Sequence, residues 1–206
     1  MDNETAARRK QRLRREIKKI LAGMGVADRA GKSGQIRRAI SLSPLWEKAS
    51  LVAAFLPLPG EPDLRPLLGQ ALAEGKKICL PRVEGEDIVF HLARDLGKDF
   101  AAGAWGISEP AAGLPRARAA DFGGEGVLFL VPGLAFDRQW RRLGRGRGFY
   151  DRFFRGLAAG GIRPPAFGVA FSCQIIEAVP VDGNDFPLCG LVSEHGMEQE
   201  ENRGRR

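Results

Sequence analysis

Three arginines alternate with three glycines in RLGRGRGFYDRF, residues 142–153. Glycines at 144, 146 and 148 carry no Cβ, so their backbone N–H groups can close on an anion. Arg142, Arg145 and Arg147 bring guanidinium forks that match phosphate oxygens. A helix starting near Phe149 would aim its positive end at the same anion, and Asp151 in its first turn is placed to hold a phosphate-bound magnesium ion. The chemistry is phosphate binding; the alternative is a solvated basic turn with Asp151 as a helix-start charge. The spacing is not that of a Walker A loop. The GKS of AGKSG, residues 30–34, is not one either: Val26 stands where the first glycine is required and no strand precedes it, so the stretch is expected to be an interhelical turn.

Glu61 lies between Gly60 and Pro62 in FLPLPGEPD. The proline disfavours the α conformation at Glu61 and holds it extended at a strand end, where a carboxylate can accept paired N–H bonds from a planar ring; the alternative is a solvated turn glutamate. Trp105, in GAWGISEP, either stacks on a planar ligand or plugs the core. Lys10 and Arg14 are four apart on the first helix, on one face beside the apolar stripe, where a cation leans into a site or is simply solvated. The two histidines, His91 and His195, lie near neither the loop nor a nucleophile elbow, which leaves a histidine-based mechanism without support.

The elements that must position these residues follow from periodicity. Leu13, Ile17, Ile20, Leu21 and Met24 recur at helical spacing in residues 4–24. A second helix is expected over residues 33–43, ending near Pro44, and a strand over Leu51–Leu56, ended by the prolines that follow. Asp63 can cap a helix carrying Leu64, Leu67, Leu68 and Leu72. KKICLPRV reads as a strand closed by Pro81, DIVFHLA as another, and residues 96–124 as irregular. GVLFLVPG is a buried strand, residues 149–157 a helix, and PPAFGVAF and LCGLVSE two further strands. Alternating strands and helices predict an α/β fold: one domain over residues 4–195, a mostly parallel sheet flanked by helices, and a ligand cleft at the carboxyl ends of the strands. Residues 196–206 read as a disordered tail.

Composition narrows the partners. The chain has 206 residues and a formal net charge of +7, which favours a polyanionic ligand: a nucleotide, a phosphate, a polyglutamate or nucleic acid. Three widely spaced cysteines without a CxxC argue against a disulfide framework or a zinc site. No signal peptide and no apolar run near the roughly 20 residues of a membrane span are present. A cytoplasmic protein with no membrane partner is expected.

Four stretches in order, KQRLR, FLPLPGEPD, VPGLAFD with RLGRGRGFYDRF, and FSCQ…VPVDGNDFPLCGLVSE, resemble the 5-formyltetrahydrofolate cyclo-ligase family, also called 5,10-methenyltetrahydrofolate synthetase. The resemblance spans residues 8–195. It implies an enzyme that uses ATP and Mg2+ to convert 5-formyltetrahydrofolate, with or without further glutamates, to 5,10-methenyltetrahydrofolate, releasing ADP and phosphate. It implies that Lys10, Arg14, Arg142, Leu143, Gly144, Arg145, Gly146, Arg147, Gly148, Phe149 and Tyr150 bind ATP. Arg142 and Arg147 would stabilise the transferring phosphoryl group. Leu56, Glu61, Trp105, Arg145 and Phe149 would bind the folate, and Asp151 and Asp185 the magnesium. Relatives carry tyrosine at the position of Phe149, lysine or glycine at that of Arg147 and threonine at that of Ser193. None of these departures removes a charge that the mechanism needs. The expected enzyme is a monomer without a nucleic-acid partner. The alternative is a silent member of the fold that binds RNA or a nucleotide through its basic surface; few aromatics, 8% of residues, and the absence of an RNP-like or KH-like signature weigh against it.

Overall fold

The computed structural model describes residues 5–102, 108–181, 183 and 185–199. Its centre is a seven-stranded sheet in the order β12-β11-β9-β6-β1-β2-β3. The strands are β1 (Leu51–Ala53), β2 (Lys77–Glu84), β3 (Asp87–Ala93), β6 (Val127–Pro132), β9 (Ala166–Val169), β11 (Gly190–Ser193) and β12 (Gly196–Gln199). The five central strands run parallel, and β3 and β12 pair antiparallel at the two edges. Two small sheets accompany it. One joins β4 (Phe100–Ala102) to β5 (Ser108–Pro110); the other has the order β10-β7-β8, with β7 (Ala135–Asp137), β8 (Arg142–Leu143) and β10 (Ile175–Ile176).

Side chains alternate across the central strands, as a period of two requires. Val52 and Ala54, Leu128 and Leu130, and Phe167 and Val169 join one core, which also takes residues from α1 (Ala6–Gly23), α2 (Val26–Ser41), α3 (Pro44–Lys48) and α4 (Arg65–Ala73). Leu51 and Ala53, Phe129 and Val131, and Ala166 join the other, covered by α5 (Phe149–Ala159) and an aromatic cluster of Phe90, Phe122, Phe129, Phe153 and Phe154. Burying one such phenylalanine is worth about 1.5–3 kcal/mol, so the aromatic cluster fixes α5 firmly beneath the basic loop.

The chain makes β1, β2 and β3 on one side and then crosses to β6, β9 and β11 on the other. The strand order therefore reverses between β1 and β6, and the crevice beyond their carboxyl ends is where ligands bind in such sheets. The segment bearing Glu61 leaves β1, and the segment bearing the glycine loop leaves β6.

Several local expectations are corrected. The AGKSG stretch lies inside α2, not in a turn. Its Lys32 pairs with Glu194 at 3.4 Å, and Ser33 accepts the Asp63 N–H at 3.1 Å; these contacts offset part of the helix cost of two glycines. The first strand is shorter than expected, ending at Ala53. The second does not stop at Pro81 but runs to Glu84. Beyond Cys79 its only ladder is with β3, so the missing proline N–H costs no bond on the other edge. Residues 96–124, expected to be irregular, contain β4, β5 and a short 3-10 helix over Ala119–Phe122. Gly196–Gln199, assigned to the tail, forms β12 through backbone pairing with β11, which polar side chains do not advertise. Ile20, placed on the apolar stripe of α1, is 49% exposed.

Candidate active site

The site is built on a turn that looks unremarkable in sequence. Asp137, at the end of β7, is fully buried. Its Oδ1 accepts the N–H groups of Gln139 and Arg141 at 3.0 and 3.1 Å; its Oδ2 accepts the Val179 N–H at 2.7 Å and Arg141 Nε at 2.6 Å. That carboxylate holds the reversal from β7 to β8, in which Trp140 takes the left-handed φ of 62°. β8 then begins with Arg142. Gly133 is needed for the same reason: a Cβ there would lie 2.6 Å from the Phe136 ring and 3.1 Å from Cγ of Arg142. Gln174, also buried, donates Nε2 to the carbonyls of Gly133 and Leu134 at 2.9 and 3.1 Å. VPGLAFD and FSCQ are thus the scaffold that aims the arginine. Sequence reasoning assigned no role to Asp137 or Gln174; a polar residue closing an otherwise apolar strand was the available signal.

Contacts around Arg142 tie the loop to α5, α1 and the segment of Asp185. Arg142 itself, 7% exposed, donates Nη2 to Oδ1 of Asp151 at 2.8 Å and lies 5.5 Å from the centre of the Tyr150 ring. The Phe186 N–H approaches the same Asp151 oxygen at 3.4 Å, which brings the segment of Asp185 against α5. Lys10, 7% exposed on α1, donates Nζ to both oxygens of Asp185 at 3.0 and 2.8 Å. One turn further along α1, Arg14 donates Nε to the Gly144 carbonyl at 2.9 Å and lies beside Gly146. Gly146 and Gly148 have φ of +107° and +66°, values that a side chain would resist.

The loop also reaches the β1 side. Arg145 donates Nε and Nη2 to Oε1 of Glu61 at 3.1 and 2.7 Å. Oε2 of Glu61 accepts the Leu58 N–H at 3.0 Å, and its own N–H closes the turn on the Leu58 carbonyl at 2.9 Å. The carboxylate is therefore buried. Burial pushes its pKa above the ordinary value, and the Arg145 charge and the Leu58 N–H only partly counter it.

The remaining predicted residues are placed as follows. Leu56 is half-buried against the core. The Leu143 side chain is buried below the loop, and its carbonyl accepts the Leu134 N–H at 2.8 Å. Arg147 is exposed, with its carbonyl accepting Arg152 Nη1 at 2.8 Å, and Phe149 has Arg152 over its ring at 5.5 Å. Trp105 lies outside the described residues.

Tyr150 is the odd member. Its hydroxyl is buried and finds no hydrogen-bond partner among the described residues. Burial, with the Glu61 charge adding to it, pushes the phenol well above its usual pKa, so the group stays a protonated donor. An unmade hydrogen bond of this kind costs about 1–3 kcal/mol. Tyr150→Phe is accordingly expected to raise the urea midpoint while lowering kcat/KM about tenfold, the signature of a group kept for a ligand rather than for the fold. A fall in both would make it structural.

Asp151 and Asp185 suit a magnesium ion. Among the described residues no cluster of three or more carboxylate, imidazole or thiol ligands occurs. Magnesium bound through one or two carboxylates, with phosphates and water supplying the rest, needs no more than this pair. Each carboxylate already faces a cation, Arg142 or Lys10, so the charges required around a metal–phosphate group are assembled in one place.

Known proteins resemble this chain in sequence and in fold. Residues 6–194 match the model of the 5-formyltetrahydrofolate cyclo-ligase family. A 5-formyltetrahydrofolate cyclo-ligase of Mus musculus is 27% identical over 90% of this chain and 93% of its own. One from Mycolicibacterium smegmatis is 30% identical over 90% and 94%. The NMR structure of Aquifex aeolicus 5,10-methenyltetrahydrofolate synthetase superposes with a TM-score of 0.80 at 31% identity, covering 96% of each chain. With its order-reversing parallel sheet and its basic glycine loop, this chain belongs to the 5-formyltetrahydrofolate cyclo-ligase family.

Proposed function

We propose that the protein converts 5-formyltetrahydrofolate to 5,10-methenyltetrahydrofolate at the expense of ATP, with Mg2+. The observation that carries this reading is the loop's double attachment. Arg145 holds Glu61, the carboxylate suited to the N–H edge of a pterin, and Arg142 holds Asp151, the carboxylate suited to magnesium. Two residues, Leu143 and Gly144, thus separate the arginines at the two substrates' recognition points, a closeness that supports phosphoryl transfer from one to the other.

In this reading the formyl oxygen attacks the γ-phosphorus of ATP and ADP departs. Nitrogen N10 then attacks the phosphorylated iminium carbon. The N10 proton passes to solvent or to the departing phosphate, the C–O bond breaks so that phosphate leaves with the former formyl oxygen, and the methenyl bridge is closed. Lys10, Arg14 and Arg142 bind the phosphates and stabilise the charge spread over the equatorial oxygens. Arg142 uses Nη2 on Asp151 and Nη1, weakly at 3.5 Å, on the Pro132 carbonyl; an arginine has five N–H donors, so the rest of the fork serves phosphate. Arg147, exposed on the outside of the loop, supplies a further cation from the solvent side. Asp151 and Asp185 would hold magnesium, which neutralises phosphate charge. Leu56 and Phe149 flank the folate, and the Tyr150 hydroxyl donates to a ligand oxygen.

The test is direct: purified protein, 5-formyltetrahydrofolate, Mg2+ and ATP, with the methenyl product followed by its ultraviolet absorbance. A rise that needs both ATP and the metal is expected; a flat trace from folded, ATP-binding protein would overturn the assignment.

Glu61 adds a pH test. Its raised pKa means that ionising it in the fold costs stability as pH climbs above 4.5 through its folded value. Glu61→Gln removes that slope, so the variant should gain stability relative to the parent on the alkaline side. The parent's KM for the folate should rise as the pH falls and the carboxylate protonates, and the variant's KM should be high and flat. A variant with the parent's KM and its pH dependence would remove Glu61 from the folate site.

A further inference from the structure

Arg152, the fourth residue of α5, has no role in the reading above, yet all three of its guanidinium nitrogens are engaged. Nη1 donates to the Arg147 carbonyl at 2.8 Å, beside the bond from the Arg152 backbone N–H to the Gly148 carbonyl at 2.9 Å. The guanidinium lies over the Phe149 ring, 5.5 Å from its centre. The other two nitrogens turn away from the loop. Nε donates to Oδ1 of Asp87 at 2.9 Å, and Nη2 to the Glu86 carbonyl. Glu86 and Asp87 belong to the reversal between β2 and β3, whose ladder ends at the pair Glu84 and Asp87. One residue therefore joins three consecutive loop residues to an edge hairpin to which no ligand is assigned.

The loop needs a hold at this end. Its first half is fixed elsewhere, by Arg142 on Asp151, Arg14 on the Gly144 carbonyl and Arg145 on Glu61. Its second half runs through Gly146 and Gly148, both at positive φ, and glycine loses more backbone freedom on ordering than any other residue. A ligand that had to order this stretch itself would bind more weakly by that cost. A Cβ on Gly148 would lie 3.1 Å from Nη1 of Arg152, so the guanidinium packs directly on the loop backbone. Its pair with Asp87 does little for the fold: Asp87 is 67% exposed, and ion pairs open to solvent add little stability.

We propose that Arg152 is a positioning residue: anchored on the β2–β3 reversal, it holds residues 147–149 in the conformation that receives the phosphates of the nucleotide. It sets the affinity for ATP without touching ATP. The inference rests on the phosphate-binding reading of the loop. It also gives Asp87 a part, since an exposed carboxylate on an edge hairpin then governs nucleotide affinity through the arginine it holds.

A double-mutant cycle tests it, read by calorimetry with Mg2+ and a non-hydrolysable ATP analogue, which needs no turnover. Arg152→Ala should weaken binding about tenfold or more, and Asp87→Ala about threefold to fivefold, the most an exposed pair transmits. In the double variant the loss of Asp87 should add nothing, because the carboxylate acts only through the arginine. Arg152→Lys should bind as poorly as Arg152→Ala, since lysine keeps the charge but lacks the fork that spans hairpin and loop. Urea midpoints should stay near the parent's throughout. In steady-state assays KM for ATP should rise while kcat at saturating ATP stays within about twofold of the parent's, as when ordering is lost before binding. Additive effects in the cycle, no effect of Asp87→Ala, or a lysine variant that binds like the parent would make Arg152 a direct phosphate ligand and overturn the proposal. Unchanged affinity in Arg152→Ala would overturn it too, with the phosphate reading of the loop left standing. A parent that binds no nucleotide would bring down both. If the parent binds nucleotide but forms no methenyl product, the reaction alone is misassigned, and the calorimetry still decides the role of Arg152.

Discussion

Arg142→Ala is expected to lower kcat by about 10³-fold or more, the range in which a phosphate-directed arginine contributes to phosphoryl transfer. The expectation rests on geometry as much as on charge. Arg142 is nearly buried, its fork lies between Asp151 and the Pro132 carbonyl, and its stem occupies the space that Gly133 leaves open. Its removal also strands Asp151, whose carboxylate would lose the cation 2.8 Å away. Breaking a buried pair by deleting one partner costs about 3–5 kcal/mol, less here because Asp151 keeps some contact with solvent. Arg142→Lys separates the two effects: it keeps the positive charge and much of the stability but loses the planar fork. Single-turnover kinetics with saturating ATP should show the chemical step slowed in both variants, and urea unfolding should show only the alanine variant destabilised. An alanine variant that turned over at the parent's rate would move the transition-state charge to Arg147 or Lys10.

The largest effect on stability is expected away from any ligand. Asp137→Ala would leave the buried Val179 N–H and the part-buried N–H groups of Gln139 and Arg141 without their acceptor. The one fully buried group left unsatisfied costs about 1–3 kcal/mol, and the lost bonds to a charged carboxylate add to that, so the variant should lose about 3 kcal/mol, a large share of a marginally stable domain's total. The turn would also no longer hold Trp140 at φ 62°, and Arg142, two residues on, would lose its aim. Asp137→Asn keeps an oxygen for two of these N–H groups and gives up the ion pair with Arg141 at 2.6 Å. It is expected to fold, with a lower urea midpoint and a reduced kcat. A stable, fully active Asp137→Ala protein would show that β8 is positioned by its strand pairing alone.

The contrast between these residues explains what was legible in the sequence. Arg142, Glu61 and Lys10 were legible because charged residues beside glycine, before proline, or flanking an apolar stripe stand out against their surroundings. The parallel sheet was legible because VLFLVP and LVA are apolar without interruption, as strands covered on both faces must be. Asp137 was not, since its importance is the sum of three backbone bonds from Gln139, Arg141 and Val179, and the last comes from 42 residues away. The small sheet of β7, β8 and β10 escaped for a like reason: strands of two or three residues carry no period. Nor does a sequence show which carboxylate meets which cation. Lys10 with Asp185 and Arg145 with Glu61 are facts of topology, the second pair joining the segments that leave β1 and β6 where the strand order reverses.

The Lys10–Asp185 contact spans 175 positions, and that separation has a consequence for synthesis. At about 5–20 residues per second, roughly 9–35 s pass between the appearance of one partner and the other. Through that interval α1 waits with a single inward row, Lys10, Ile17 and Leu21, to fasten it. A nascent chain halted between Phe153 and Asp185 has the basic loop but not Asp185. The pairing of the earliest helix with one of the latest segments can therefore form only on a chain translated almost to its end.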